Sequence, residues 1–74
     1  MNEHDTVVLT RSLPHHGLEA GDVGAIVHVY DTGKAFEVEF VAGSGSTLAV
    51  VTPDANDIRP VATGEILHVR NIPA

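Results

Sequence analysis

Apolar and polar residues alternate along much of the chain, and this alternation predicts β-strands. The run "AFEVEF" places Phe36, Val38 and Phe40 on one face. Glu37 and Glu39 fall on the other face, and this two-residue period is typical of a half-buried strand. Nowhere do apolar residues keep the spacing of a helix face over ten or more residues, so no long helix is expected.

Four other runs have the composition of short strands. They are "DTVVLT" (5–10), "AIVHVY" (25–30), "TLAVVT" (47–52) and "RPVA" (59–62). In the second of these, Ala25, Val27 and Val29 form the more apolar face, so we expect them inside and Ile26 outside. The predicted core consists of Val7, Leu9, Leu18, Val23, Ala25, Val27, Val29, Phe36, Val38, Phe40, Leu48, Val50, Ile58 and Val61.

The connections between these runs carry turn-forming residues. Asp31–Lys34 has the composition of a type I turn followed by a left-handed glycine, and Gly43–Ser46 that of a flexible hairpin loop. Residues 53–58, "PDANDI", indicate a single 3₁₀ turn before the last strand. About five short strands, one long early loop and one 3₁₀ turn predict a small all-β domain, an SH3-like barrel rather than an OB-fold.

The chain continues after this barrel is complete. Residues 1–62 form the predicted barrel, and residues 63–74 add a segment with further strand-forming side chains. We expect this segment to be an extra C-terminal strand. It would pair with its own barrel or across a homodimer, and disorder is the third alternative.

Composition narrows the function further. A chain of 74 residues has room for one domain, and zero cysteines exclude disulfides and thiolate metal sites. The net charge of −6 repels phosphate backbones, so nucleic acid is not an expected partner. No apolar run approaches the ~20 residues of a membrane helix. We therefore expect a cytoplasmic protein without a membrane segment.

No group of residues predicts catalysis, a cofactor or a metal. Gly17, Gly21 and Gly24 precede the second predicted strand without the Gly-Lys-Ser/Thr ending of a phosphate loop. We interpret them as residues of a bend, where Gly21 and Gly24 permit positive φ or close backbone approach. Adjacent His15 and His16 make a poor metal chelate, and the other histidines, His4, His28 and His68, are spread along the chain. The loop serines, Ser12, Ser44 and Ser46, lack a rigid setting for a nucleophile. We therefore expect no enzymatic activity.

A family resemblance covers residues 5–61. The segments "DTVVLTRSLPHHGLEAGDVGAIVHVY", "AFEVEFV", "TLAVVT" and "DIRPV" together resemble short bacterial proteins catalogued as a domain of unknown function. The resemblance implies a free-standing SH3-like barrel without catalytic residues. Some members are encoded beside a second small protein, which implies a toxin–antitoxin pair.

Two more distant likenesses concern other SH3-like barrels. Gly21, Gly24 and Val27 are similar to the KOW element of transcription and ribosomal proteins, but Glu19 and Asp22 stand where basic residues would contact RNA. The early segment "TRSLPHHGLEAGDVGAIV" is also similar to the barrel of nitrile hydratase β subunits. That likeness bears on the fold more than on an activity.

Two functional hypotheses follow. The first is a non-enzymatic protein-interaction module, antitoxin- or immunity-like, that covers a basic surface on another small protein. The alternative is a KOW-like nucleic-acid-associated barrel, which requires Arg11, Lys34, Arg59 and Arg70 to cluster. For the first hypothesis, the expected partner-binding residues are Glu37, Glu39, Tyr30, His28, Ile66, His68 and Arg70.

Overall fold

A single antiparallel sheet of five strands makes up the domain. The computed structural model describes residues 1–72. Its strands are β1 (Thr6–Leu9), β2 (Val23–Tyr30), β3 (Ala35–Val41), β4 (Thr47–Val51) and β5 (Ile58–Pro60). Their order in the sheet is β4-β3-β2-β1-β5. This confirms the predicted all-β class, and the strand order with a 3₁₀ turn before β5 agrees with a small SH3-like barrel.

The turns differ from the predicted ones in two places. The 3₁₀ turn Ala55–Asp57 was expected, but a second one, Pro14–His16, occupies the long loop between β1 and β2. Proline suits the first position of such a turn because it needs no N–H donor there. In the β2–β3 turn, Asp31 and Thr32 both have positive φ, at 46° and 56°. The start of this four-residue loop therefore has the φ signs of a type I′ turn rather than type I, while Gly33 at +98° is left-handed as predicted.

One hydrophobic cluster lies on the inner face of the sheet. Its nine buried members are Val7, Leu9, Leu18, Ile26, Phe36, Val38, Phe40, Val51 and Ile58. Phe36 and Phe40, the only phenylalanines, are each 2% exposed, as the alternation in β3 predicts. Half of the predicted core is thus confirmed, and the differences concentrate in β2 and β4.

In β2, the predicted inner face is wrong because the strand contains a bulge. The register with β3 shifts between Ile26 and His28, so Val27 has no residue opposite it. Ile26 is fully buried and Val27 is 37% exposed. Beyond the bulge Val29 packs against the core again. A strict two-residue period cannot anticipate such a change of phase.

In β4, the inward residues are Ala49 and Val51, not the predicted Leu48 and Val50. Val51 lies opposite Val38, and the register with β3 shifts near Val41. Val50 is 49% exposed on the outer side, whereas Leu48 has no residue opposite it at the register shift and is 38% exposed beside the core residues Leu18 and Phe40. The run "TLAVVT" is apolar on both faces, so its composition does not distinguish the inner face from the outer one.

Three further predicted core residues lie at the edge of the core. Val23, Ala25 and Val61 are only half-buried. Val61 also follows β5, which ends at Pro60 instead of extending through residue 62 as predicted.

The predicted C-terminal strand is not formed. Residues 61–72 contain no strand, and Ile66 and Val69 are 92% and 89% exposed. Residues 73 and 74 of the predicted extension lie outside the described residues. We call residues 61–72 the tail. Strand-forming side chains alone do not create a strand, because strand formation depends on pairing and packing as well as on composition.

Candidate protein-interaction site

Four of the predicted partner-binding residues lie together on the outer side of β2 and β3. His28 is directly opposite Glu37 in the sheet. The Tyr30 hydroxyl donates a 3.2 Å hydrogen bond to Glu37 Oε2, and the His28 and Tyr30 rings pack edge to face at 4.4 Å. Glu39 is two residues from Glu37, on the same side of β3 and about 7 Å along it. We call His28, Tyr30, Glu37 and Glu39 the acidic face.

Apolar side chains border the acidic face. Val50 lies opposite Glu39 and is 49% exposed, and Val41 at the end of β3 is 52% exposed. The Thr47 hydroxyl donates a 2.6 Å hydrogen bond to Glu39 Oε2, which holds the carboxylate beside these side chains. Charged groups next to exposed apolar side chains are common at interfaces between proteins.

The electrostatics of the acidic face are set by carboxylates without cationic partners. Within residues 1–72, neither Glu37 nor Glu39 forms an ion pair with a basic side chain. Desolvation raises the pKa of the Tyr30 hydroxyl, and the charge of Glu37 raises it further. The protonated Tyr30 hydroxyl is therefore favoured as the hydrogen-bond donor to Glu37.

The basic residues of the chain are mostly occupied elsewhere. Arg11 lies 3.8 Å from Asp57, and Arg59 binds Glu65 through two 2.6 Å hydrogen bonds. Arg70 pairs with acidic residues of the β1–β2 loop. Lys34, in the β2–β3 turn, is the one lysine or arginine without an ion pair in the part of the chain that the structure describes. Three of the four cations are therefore neutralised locally by carboxylates of the same chain.

The three predicted binding residues of the tail are placed differently from one another. Ile66 is 92% exposed, and His68 is exposed beside the barrel. Arg70 is not a free surface residue: its guanidinium donates hydrogen bonds to both Asp22 carboxylate oxygens and, at 2.9 Å, to the Gly17 carbonyl oxygen. The hydrogen bonds from Arg70 lower the pKa of Asp22. Arg70 therefore anchors the tail, and sequence reasoning missed Asp22 as its partner.

A groove of about 390 Å³ lies between the anchored end of the tail and the barrel. Leu18, Phe40 and Leu48 contribute its apolar wall, and His68 and Ile72 contribute the tail side. Because Arg70 at its rim is already neutralised by Asp22 and Glu19, the groove offers an apolar surface without a free cation.

The described residues contain no cluster of metal ligands. Across residues 1–72, no three histidine, cysteine or acidic side chains are grouped in a way that would hold a metal ion. All five histidines are exposed, and the loop serines Ser12, Ser44 and Ser46 donate or accept only local hydrogen bonds. No helix in this part of the chain is long and apolar enough to cross a membrane.

Gly17 and Gly21 lie before β2, which agrees with their interpretation as bend-forming residues, whereas Gly24 is the second residue of β2 itself. Gly17 and Gly21 have φ of +69° and +95°, values that favour glycine. Gly24 has a different function, because a Cβ there would lie 2.8 Å from the Glu39 carbonyl oxygen. It allows β2 to approach β3 closely.

The fold and the acidic face define a small all-β domain with a negatively charged sheet surface and no recognisable catalytic centre in its described residues. The chain belongs to the family described as "Domain of unknown function (DUF4926)", whose sequence model matches residues 3–60. The matched region ends at the last residue of β5. No curated protein and no solved structure matches the chain.

Proposed function

We propose that this chain is a non-enzymatic protein-interaction module that binds a basic surface of another protein through its acidic face. The observation that supports it is the absence of ion-pair partners for Glu37 and Glu39 within residues 1–72, while three of the four basic residues are already paired. Two neighbouring carboxylates on a rigid strand are preorganised acceptors for lysine or arginine. A basic partner gains these interactions without displacing an existing cation.

The proposed partner is a second small protein, and the relationship is antitoxin- or immunity-like, in a bacterial cytoplasm. A domain of this size can neutralise another protein by covering its basic surface, and this needs no chemistry of its own. Electrostatic attraction speeds the encounter, and the flanking apolar residues, Val41 and Val50, add contact area. The same charge opposes the KOW-like alternative, because the acidic face repels phosphate.

Binding of the protein encoded by the adjacent gene tests this proposal. We expect the double variant Glu37→Gln/Glu39→Gln to weaken that binding at least about tenfold, because charged pairs at an interface contribute strongly to affinity. The matched control is Asp31→Asn/Asp54→Asn, which removes the same charge from two turns and should bind within about twofold of the unmodified chain. Equal weakening by both variants would mean that net charge, not the acidic face, controls binding.

A nucleic-acid comparison completes the test. Single-stranded RNA at low salt should show no saturable binding to the unmodified chain. A salt-sensitive RNA isotherm, together with no effect of the Glu37→Gln/Glu39→Gln change, would replace the proposal with the KOW-like alternative.

A further inference from the structure

The two edges of the sheet differ in their protection against pairing with another strand. The β5 edge is short, ends in a proline, and carries Arg59 bound to Glu65 of the tail. Short length, proline and charge are the features that protect edges from further pairing. β4, "TLAVV", contains no charge and no proline. Among the described residues β4 pairs only with β3, so its outer backbone edge is open to a further strand.

The open edge is next to the acidic face. Val50 of β4 lies directly opposite Glu39 of β3. A strand added beyond β4 would lie about 5 Å from it and about 10 Å from β3. A lysine side chain on the outer side of the added strand would extend over Val50 toward β3. Together with the Glu39 side chain it covers the distance of about 10 Å between the added strand and β3. On the inner side, the added strand would be next to Ala49 and Val51, which favour apolar neighbours.

We infer that the β4 edge receives an extended basic segment of the partner, which adds to the sheet as a sixth strand. Its sequence alternates lysine or arginine, facing Glu39, with apolar residues that face Ala49 and Val51. Backbone hydrogen bonds to β4 provide affinity, and the alternating side chains provide specificity. That the partner is basic rests on the proposed function, and the addition of a strand to β4 is the new element.

Charge complementarity selects this occupant over the alternatives. A second copy of the chain would bring another net charge of −6, with its own Glu39 near the same edge. The tail of the same chain is held at the β1–β2 loop by Arg70 and forms no strand. An extended basic segment supplies backbone hydrogen bonds to the free edge of β4 and cations to the unpaired carboxylates.

The test uses a blocked nine-residue peptide in which lysine alternates with valine, titrated into the full chain at low salt. Two further peptides carry N-methyl groups, one on the valine amides and one on the lysine amides. In a strand, only one of these two sets of N–H groups points toward β4. We therefore expect one methylated peptide to bind at least about tenfold more weakly and the other to bind nearly as well as the parent. Amide shifts should include Thr47–Val51.

The outcomes separate this inference from the proposed function. If both methylated peptides bind like the parent while Glu37→Gln/Glu39→Gln abolishes binding, strand addition is wrong and the acidic face stands. If a peptide that alternates glutamate with valine binds as well as the lysine–valine peptide, binding does not depend on a basic partner. The proposed function and the strand-addition inference are then both wrong. Absence of peptide binding, or a concentration-dependent dimer formed through β4, also overturns the inference.

Discussion

At the scale of single residues, Gly24 shows how one missing side chain sets the geometry of the sheet. A Cβ at this position would lie 2.8 Å from the Glu39 carbonyl oxygen, the Phe40 ring and a Val38 methyl group. The first of these is backbone and cannot turn aside. We expect Gly24→Ala to reduce the free energy of unfolding by about 1–3 kcal/mol, as overpacking does. Urea denaturation measures this loss.

Gly43 provides the matched control, because nothing lies within 4 Å of a Cβ placed there. Gly43→Ala should leave the free energy of unfolding within about 0.5 kcal/mol of that of the unmodified chain, and the urea midpoint correspondingly unchanged. Equal midpoints for the two variants would mean that β2 and β3 do not approach as closely as described.

The titration of Glu65 reports the ion pair between Arg59 and the start of the tail. Hydrogen bonds from Arg59, and one from the Ala62 backbone N–H, lower its pKa from 4.5 to about 2. Because the folded-state pKa is depressed, the stabilising contribution is fully present above about pH 4.5 and is lost as the pH falls through about 2. Carboxyl chemical shifts measured by NMR should give this midpoint.

The matching variant is Arg59→Gln, which removes the charged donor. The Glu65 midpoint should then move up toward its ordinary value. If the midpoint is the same in both chains, the Arg59–Glu65 pair is not formed in solution.

At the scale of elements, the tail is an irregular segment held near its end by one residue. Arg70 donates hydrogen bonds to Asp22 and Gly17, whereas Ile66 and Val69 remain exposed. We expect Arg70→Gln to lower the heteronuclear NOE values of residues 66–72, because this anchor is lost. The barrel should keep its amide shifts outside the β1–β2 loop, since the tail contributes no strand to the sheet.

Arg11→Gln serves as the comparison. It removes an equal charge at a looser contact, 3.8 Å from Asp57, in another part of the fold. NOE values in the tail should be unchanged in this variant. A tail that stays ordered in Arg70→Gln would show that packing of its side chains, not the Arg70 anchor, determines its position.

The same scale shows which elements are predictable from sequence. β3 follows a strict alternation, and its inner face and its acidic outer face were both predicted correctly. β2 and β4 were not, because a bulge at Val27 and a register shift near Val41 depend on pairing with β3. Such shifts arise from pairing with distant parts of the chain and leave no local pattern.

At the scale of the whole molecule, the distribution of charge matters more than its sum. The net charge of −6 predicts an acidic protein, but only the structure shows that Arg11, Arg59 and Arg70 are each engaged with carboxylates. The candidate site was therefore predictable in part. The alternation in β3 and the position of His28 and Tyr30 on β2 indicated the acidic face, whereas the ion pair between Arg70 and Asp22 joins residues 48 apart.

A titration monitored by amide NMR shifts tests most directly whether the acidic face binds a basic protein. The probe is the unlabelled protein encoded by the adjacent gene, added to the labelled chain. We expect the largest shifts at His28, Tyr30, Glu37 and Glu39, and we expect them to diminish as salt is added. Shifts confined to the opposite edge, around β5 and the tail, or shifts that do not respond to salt, would contradict binding through the acidic face.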